Sequence, residues 1–177
     1  MHILENQRIY LGLFEEDDFH KMKDWYRYNQ TYPRLLSAEP YRPKTVEQLK
    51  KWMTETSEKD YRFSIRLKST DDLIGYMELD DILWSNRVGW ISLGIGELEH
   101  RGKGYGKEAM DTILRYAFHE LNLHRIQLTV FSYNEPAIHL YEKVGFQKEG
   151  TYRQFLERDG NRHDMLLYGL LKEEWRG

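Results

Sequence analysis

The part of the sequence best suited to chemistry is a glycine-rich segment in the middle of the chain. In LGIGELEHRGKGYGKEAM, residues 93–110, glycines stand at the alternate positions Gly102, Gly104 and Gly106. Three cationic side chains flank them: Arg101, Lys103 and Lys107. Backbone amides at the start of a helix, together with the helix dipole, attract anions. The segment therefore predicts a phosphate- or pyrophosphate-binding loop that leads into a helix.

Other interpretations of this loop fit less well. A Walker A loop ending at Gly106-Lys107 fails because Arg101 and Glu108 stand at two of its fixed positions. The dinucleotide fingerprint can be laid over the glycines, but the next strand, RIQLTVF, lacks the acid that this motif needs at its end. A flexible connector with no ligand is the remaining alternative.

A second segment with a defined pattern lies about thirty residues downstream. In NEPAIHLYEKVGF, residues 134–146, Asn134 is suited to cap a helix, Pro136 to its first turn and Gly145 to its end. Tyr141 lies on this helix, where its residue type alone is typical of a core aromatic.

Composition excludes several classes of protein. The 177 residues contain no cysteine, which removes disulfides, thiolate metal sites and a cysteine nucleophile. A net charge of −3 argues against a general nucleic-acid binder. His119, Glu120 and His124 imitate a zinc motif, but the second histidine comes one residue too late, so no metal is predicted. No apolar run has the length of a signal peptide or membrane span, and we expect a cytoplasmic protein that binds no membrane.

Hydrophobic periodicity outlines the elements that must position these residues. Strands are predicted in RIYLGLF, YRFSIRL, LIGYMELDDI, VGWISLGIG, RIQLTVF, QKEGTYRQFLE and RHDMLLYGLL, the last two joined by a hairpin turn at 159–161. Helices are predicted in EEDDFHKMKDWYRYNQ, after the capping-box pair Thr45 and Gln48, after the glycine loop, and in the segment that begins at Asn134. The proline-rich YPRLLSAEPYRPKT is expected to be a loop. The order favours one domain over residues 1–177, of mixed α/β or α+β class.

The two motifs together resemble a known family. RGKGYG resembles the R/Q-x-x-G-x-G/A loop of the GCN5-related N-acetyltransferases (GNAT), and NEPAIHLYEKVGF resembles the helix that follows it in that family. The C-terminal stretch, EGTYRQFLERDGNRHDMLLYGLLKEEW, is most similar to the subgroup of ribosomal-protein N-terminal acetyltransferases and spermidine acetyltransferases. The resemblance implies a mixed, mostly antiparallel central sheet of about seven strands, flanked by about four helices, with a splayed pair of strands at its centre.

The resemblance also implies a cofactor site. The pantetheine arm of acetyl-CoA would lie between the splayed strands, VGWISLGIG and RIQLTVF, and its pyrophosphate would bind at the glycine loop. Glycines on the first of these strands fit a bent backbone and a close ligand approach, although a β-bulge without a ligand explains them equally well on residue type alone. The implied cofactor residues are Gly94, Ile95, Gly96, Arg101, Gly102, Lys103, Gly104, Tyr105, Gly106, Lys107, Asn134, Ala137 and Tyr141.

Catalytic and acceptor residues follow from the same resemblance. Tyr141 occupies the place of the family's general acid, and Glu78 lies on the strand before the splayed one, from which it could act as a base. Three acids are alternatives for the base: Asp80, Asp81 and Glu97. Aromatic residues near the elements that cover the acceptor in relatives could bind an amine: Trp25, Tyr32, Trp84 and Trp90, with Tyr41 beside them.

The predicted activity is acetyl-CoA-dependent acetylation of a primary amine by direct transfer. The acceptor is left open among a protein N-terminus, a polyamine, an aminoglycoside and another small amine. The alternative is a non-catalytic domain that senses coenzyme A or binds partners. A homodimer, formed through the edge of the terminal hairpin, is a further expectation.

Overall fold

The computed structural model describes residues 2–29 and 31–177, and its centre is a seven-stranded sheet. The strands are β1 (Ile9–Gly12), β2 (Tyr61–Leu67), β3 (Leu73–Leu83), β4 (Val88–Ile95), β5 (Arg125–Phe131), β6 (Gln147–Arg158) and β7 (Asn161–Leu171). Their order across the sheet is β1-β2-β3-β4-β5-β7-β6. All neighbouring strands are antiparallel except β4 and β5, which are parallel. The predicted mixed, mostly antiparallel sheet is confirmed.

Five α-helices flank the sheet in the described part of the chain. They are α1 (Asp18–Tyr28), α2 (Thr31–Leu36), α3 (Val46–Thr54), α4 (Tyr105–Arg115) and α5 (Glu135–Val144). The predicted capping box opens α3, because the Thr45 side chain accepts from the Gln48 amide and the Gln48 side chain accepts from the Thr45 amide. At the start of α5, the Asn134 side chain accepts from the Ala137 amide at 3.4 Å. Both predicted caps are confirmed.

Helix α2 corrects the prediction of a loop in the proline-rich segment. Pro33 lies in the first turn of α2, where a missing N–H breaks no helical hydrogen bond. The side chain of Asn29 accepts from the Tyr32 amide at 3.2 Å and so satisfies a free donor at the start of the helix. Only the part that follows α2, residues 37–45, is irregular as predicted.

The helices pack on opposite faces of the sheet. Consecutive residues of a strand point to opposite faces, and on β3 Tyr76 belongs to the cluster under α1–α3 while Met77 belongs to the cluster under α4. The α4 side carries the larger core, in which Met110, Ile113 and Leu114 are fully buried. Side chains on the Tyr76 face of the sheet are therefore covered by a separate set of elements.

The centre of the sheet opens where the two parallel strands meet. Only three residue pairs join β4 to β5: Val88–Arg125, Gly89–Ile126 and Trp90–Gln127. Beyond Trp90, β4 continues its pairing with β3, and β5 continues its pairing with β7. The predicted splayed pair is confirmed, and past Trp90 the edge of β4 is free to bind an extended ligand.

The C-terminal hairpin closes one edge of the sheet. Asp159 and Gly160 both have positive φ, 51° and 77°, as a two-residue hairpin turn requires. Strand β6 is the strand at this edge of the sheet. The homodimer expected to form through it stays a prediction, and so does the single domain over residues 1–177. Within residues 2–29 and 31–177, no helix is both long enough and apolar enough to cross a bilayer, and no three His, Asp or Glu side chains cluster as metal ligands would.

Candidate active site

The glycine loop has the backbone conformation of an anion-binding turn. Gly102 and Gly104 adopt left-handed conformations, with φ of 71° and 87°, which side chains disfavour. Gly104 is the N-cap of α4, and its carbonyl oxygen accepts the first helical bond from the Glu108 amide at 3.2 Å. The amides of Tyr105, Gly106 and Lys107 precede that bond and are available to an anion.

Arg8, which sequence reasoning missed, holds the loop in place. Its amide and its Nε donate to the Glu108 carboxylate at 2.9 and 2.5 Å, and its Nη2 donates to the Lys103 carbonyl oxygen at 3.0 Å. Its guanidinium lies 4.5 Å from the centre of the Tyr105 ring. Since Arg8 precedes β1, about 95 residues before the loop in the chain, no local pattern could have indicated this contact.

A groove of about 850 Å³ occupies the gap between the splayed strands. Its walls come from β4, the glycine loop, the end of β5, α5, and the segment that begins in α2. All the implied cofactor residues line this groove except Gly96 and Lys103. The loop and the gap therefore form one continuous site, which is what a ligand with a phosphate end and an extended amide arm requires.

Aromatic side chains of the protein itself occupy the space beside two glycines, Gly94 in β4 and Gly96 just after it. A Cβ on Gly94 would lie 2.4 Å from the Tyr32 hydroxyl oxygen, and one on Gly96 would lie 1.9 Å from the Trp25 ring. Gly94 still lines the groove through its backbone, whereas Gly96 does not. The lack of a side chain at both positions is thus explained by aromatic packing on the α1–α3 face rather than by close approach of a ligand.

We expect Gly96→Ala to destabilise the fold by about 1–3 kcal/mol, because the added methyl group overlaps the buried Trp25 ring. For a chain of this size, this corresponds to a drop in Tm of about 2–12 °C. Gly150→Ala is the matched control, since a Cβ on this strand glycine would meet nothing closer than 3.8 Å. Equal melting temperatures for the two variants in thermal denaturation would contradict this explanation.

The hydrogen bonding of the Arg101 side chain indicates whether a phosphate-bearing cofactor fits the groove. Its Nε donates to the Ile95 carbonyl oxygen at 2.9 Å, and its guanidinium lies 5.0 Å from the Tyr32 ring centre. Its Nη2 is buried and has no hydrogen-bond partner among the described residues. Burial lowers the pKa of this guanidinium. A buried, unpartnered donor beside free helix amides suits an anionic ligand, so the residues present fit coenzyme A.

Tyr141 lies on α5, against the groove. The residue is buried, its ring centre is 6.0 Å from that of Phe146, and it contributes to the groove wall. Burial raises the pKa of its hydroxyl to about 12. The hydroxyl is therefore protonated at neutral pH and can only donate a proton or a hydrogen bond to a developing anion.

A smaller side cavity of about 430 Å³ adjoins the groove on the α1–α3 face. The two share four lining residues: Leu36, Ser37, Glu39 and Ser92. Glu78 lines the side cavity, and its carboxylate accepts from the Ser92 hydroxyl at 2.7 Å. Ser92 therefore links the one strongly buried carboxylate of this cavity to the groove.

Register explains why Glu78 is held in this position. Arg62 on β2 and Ser92 on β4 both pair with Glu78 on β3, so the three side chains share one face. The Arg62 Nε lies 3.4 Å from Glu78 Oε1 and 3.5 Å from Asp80 Oδ1. Glu78 Oε1 is buried and makes no hydrogen bond in the described part of the chain.

The two neighbouring carboxyls have raised pKa values. Burial, followed by the charge of Asp80, raises the pKa of Glu78 to about 7, although the Ser92 hydrogen bond and Arg62 oppose this. Burial raises the pKa of Asp80 to about 6, against the opposing charge of Arg62. Only Glu78 of the two lines the side cavity. A carboxyl with a pKa near 7 is suited to accept a proton at neutral pH.

The other acids proposed as bases have structural or exposed positions. Glu97 accepts from the Trp25 indole at 3.0 Å and lies 3.4 Å from the Lys21 ammonium. Asp81 is exposed, and its amide donates to the Asp60 carboxylate at 3.2 Å. Neither contributes to the side cavity. The geometry therefore favours Glu78 over both.

The predicted acceptor aromatics do not come together at one place. Tyr32 is buried and lines the groove, whereas Trp25 packs against Gly96. Trp84 lies away from the cavities, with its indole donating to the Glu58 carbonyl oxygen at 3.2 Å, and Trp90 on β4 lines neither cavity. The aromatic walls of the side cavity are Tyr41, which is among the predicted acceptor aromatics, and Tyr26, Trp52 and Tyr76, which are not.

The segment after α2 is anchored by the C-terminal hairpin. Arg34 donates to Asp159 at 2.7 Å, and the Tyr133 hydroxyl donates to the Arg34 carbonyl oxygen at 2.8 Å. Arg158 donates to the carbonyl oxygens of Ser37 and Glu39. Residues far along the chain thus position the wall that the groove and the side cavity share.

The site thus combines a sheet that opens beside a glycine loop with a cavity that holds a buried carboxyl of raised pKa. The family model described as an acetyltransferase (GNAT) domain matches residues 11–167. The chain belongs to the GNAT family of N-acetyltransferases.

Individual relatives agree with this assignment. The SPbeta prophage-derived uncharacterized N-acetyltransferase YokL of Bacillus subtilis (strain 168) is 35% identical over 134 residues, 75% of this chain and 75% of the relative. The ribosomal protein uS5-alanine N-acetyltransferase of Escherichia coli (strain K12) is 25% identical, over 97% of this chain and 92% of its own. A crystal structure of spermidine N-acetyltransferase from Vibrio cholerae in complex with CoA and spermine has a TM-score of 0.84 and 26% identity, covering 96% of this chain and 98% of that chain.

Proposed function

We propose that this chain uses acetyl-CoA to acetylate a primary amine that binds in the side cavity. The observation that carries the proposal is the junction at Ser92, where the groove between β4 and β5 meets the cavity that holds Glu78. Donor and acceptor can approach each other there from opposite sides of one strand. Acetyl-CoA would supply an activated acetyl thioester, with CoA thiol as the released product.

The glycine loop, Arg101 and the open edge of β4 would hold this cosubstrate. The amides that begin α4 would bind the pyrophosphate, and the free edge of β4 would pair with the pantetheine amides as an added strand. Asn134 and Ala137, at the start of α5, line the same groove. A backbone amide of β4 near Gly94 would serve as hydrogen-bond donor to the acetyl oxygen.

Glu78 is proposed as the base. An alkyl amine has a reference pKa of about 10.4 and is mostly protonated at neutral pH, so a proton must leave it before it can attack. Glu78, with a pKa of about 7, would take this proton directly or through water. Ser92 would orient the carboxylate by donating to it.

Tyr141 is proposed to stabilise the sulfur of the leaving thiolate. Its pKa of about 12 lies above the reference value of about 8.5 for a thiol, so full proton transfer to sulfur is uphill. A hydrogen bond donated by the Tyr141 hydroxyl to the thiolate fits these pKa values better. The proton released from the amine then balances the negative charge of the thiolate. The alternative, a non-catalytic coenzyme-A-binding domain, would have no use for a buried acid beside an acceptor cavity.

We expect Gly104→Val to weaken acetyl-CoA binding at least tenfold, because valine is strongly disfavoured at a φ of 87° and would disturb the start of α4. Gly160→Val is the matched control, since Gly160 also has a positive φ, of 77°, but lies at the hairpin turn. Calorimetric titration of each variant with acetyl-CoA, beside ATP and NAD, measures the effect. Undiminished acetyl-CoA affinity in Gly104→Val, or binding of NAD instead, would refute the cofactor assignment.

A further inference from the structure

The side cavity has an unexpected charge for a site that binds a cation. Three basic side chains line it, Arg34, Arg42 and Lys44, against two acidic ones, Glu39 and Glu78. The charge of Glu78 is further offset by Arg62, whose Nε lies 3.4 Å from its carboxylate. A polyamine site would be expected to carry an excess of carboxylates.

Two of these basic side chains are available to a ligand. Arg34 is paired with Asp159 at 2.7 Å, but neither Arg42 nor Lys44 lies within ion-pair distance of a carboxylate in residues 2–29 and 31–177. Lys44 is held over the Trp52 ring, with its ammonium 5.4 Å from the ring centre. The irregular segment that carries Arg42 and Lys44 thus presents two unneutralised cations at the entrance of an aromatic cavity.

The remaining walls suit the body of a small molecule. Tyr26, Tyr41, Trp52 and Tyr76 line the same cavity as the cations and Glu78, and Trp52 and Tyr76 pack edge to face at 5.3 Å. The volume of about 430 Å³ is in the range of small-molecule sites. The cavity therefore combines a proton-accepting acid, aromatic walls and two unneutralised cations.

We propose that the acceptor is a small primary amine that also carries an anionic group, a carboxylate or a phosphate, which binds Arg42 and Lys44. This inference rests on the proposed acetyl transfer and specifies its acceptor class. The amine would face Glu78 and Ser92, and the anion would face the entrance. A polycation, such as the spermine present in the Vibrio cholerae structure, would place its additional ammonium groups beside two cations and is a poor acceptor here.

Length-matched amines test this proposal. CoA thiol release from acetyl-CoA is measured with 6-aminohexanoate, hexylamine and 1,6-diaminohexane, and with phosphoethanolamine against ethanolamine to separate carboxylate from phosphate. We expect kcat/KM for an anionic amine to exceed that for its neutral analogue at least tenfold, and the diamine and spermidine to be poorer still. A preference for the diamine or spermidine would overturn the proposal while leaving acetyl transfer intact.

Charge-removing variants locate the source of the preference. Arg42→Gln and Lys44→Gln should each raise KM for the anionic amine several-fold, with little change for hexylamine and none in KM for acetyl-CoA. Lys51→Gln is the matched control, because Lys51 lies next to Trp52 on α3 but is 72% exposed and does not line the cavity. An unchanged preference in both variants, or an effect on the KM of acetyl-CoA alone, would overturn the assignment of these cations to the acceptor.

Direct binding separates this inference from the proposed activity. If none of these amines were acetylated by a protein that binds acetyl-CoA, the same amines are titrated calorimetrically into the CoA-bound protein. Tighter binding of the anionic member of each pair, lost in Arg42→Gln, would support the charge assignment although turnover failed. Equal affinities within each pair, or tighter binding of the diamine, would overturn it.

Discussion

Replacing Tyr141 with phenylalanine is expected to lower kcat by about 10²–10³-fold while leaving the Kd for acetyl-CoA almost unchanged, as for the loss of one hydrogen-bond donor to a developing anion. The substitution removes a single hydroxyl from a buried residue that lines the groove, and it keeps the ring that packs against Phe146. The loss should fall on the step in which sulfur acquires negative charge, so single-turnover rates should drop as much as kcat does. Stopped-flow detection of thiol release and calorimetric binding of acetyl-CoA provide the two measurements.

Tyr168→Phe is the matched control for this variant. Tyr168 is 2% exposed, its hydroxyl donates to the Glu142 carboxylate at 2.8 Å, and it does not line the groove. We expect it to reduce stability without a comparable effect on kcat. A Tyr141→Phe enzyme that turns over at the wild-type rate would show that another group or water serves the sulfur.

Replacing Glu78 with glutamine is expected to lower kcat/KM at pH 7.5 by about 10²–10⁴-fold and to abolish the inflection of the pH–rate profile near pH 7. Glu78 must be ionised to accept a proton, so the wild-type rate should increase as pH rises through about 7. Glutamine can still accept from Ser92 through its amide oxygen, which preserves the local packing. A variant that keeps both the rate and the pH profile would exclude Glu78 as the base.

Asp80→Asn is the informative companion to this substitution. The charge of Asp80 helps to raise the pKa of Glu78, and Asp80 itself does not line the side cavity. Its removal should therefore shift the rise of the pH–rate profile to lower pH while most of the plateau rate remains. A loss as large as that in Glu78→Gln would instead assign the base to Asp80.

The free energy of unfolding should also depend on the ionisation of Glu78. The contribution of Glu78 to it should fall as pH rises, whereas the rate should increase. Because the pKa of folded Glu78 is about 7 and its unfolded reference is 4.5, the folded state binds more protons between these values. The contribution of Glu78 to the free energy of unfolding is therefore largest below about pH 4.5 and falls as pH rises to about 7. In denaturant unfolding between pH 5 and 8, the decrease in the free energy of unfolding with rising pH should be smaller for Glu78→Gln than for the wild type.

Features that depend on a few consecutive residues could be predicted from the sequence. The left-handed glycines of the loop, the Thr45–Gln48 capping box and the turn at Asp159-Gly160 are specified by local conformational preferences and local hydrogen bonds. The order of strands and helices follows from hydrophobic periodicity. Such features are set within a window of a few residues, where composition is informative.

Features that depend on register or on distant packing could not be predicted. Arg62, Glu78 and Ser92 lie on three different strands, and only their pairing shows that they form one cluster. Gly96 and Trp25 are explained only by their contact, which joins β4 to α1. Helix α2 was missed because prolines suggested a loop, although Pro33 lies where a helix tolerates it. Of the aromatic residues predicted for the acceptor, only Tyr41 lines the side cavity, because residue type does not indicate where a side chain points.

The anchoring of the segment after α2 has a consequence for how this protein can diverge. The proposed donor site depends largely on backbone conformation, which substitutions change with difficulty. The wall of the proposed acceptor cavity is α2 and the irregular segment after it, which Asp159 and Arg158 of the hairpin hold through Arg34 and Ser37. Substitutions at that hairpin, more than a hundred positions away in the chain, can reshape the wall without altering a residue that contacts the amine. If the proposed sites are correct, the donor half can be inherited unchanged while the acceptor half changes, so that related proteins would keep one cosubstrate and differ in the amine.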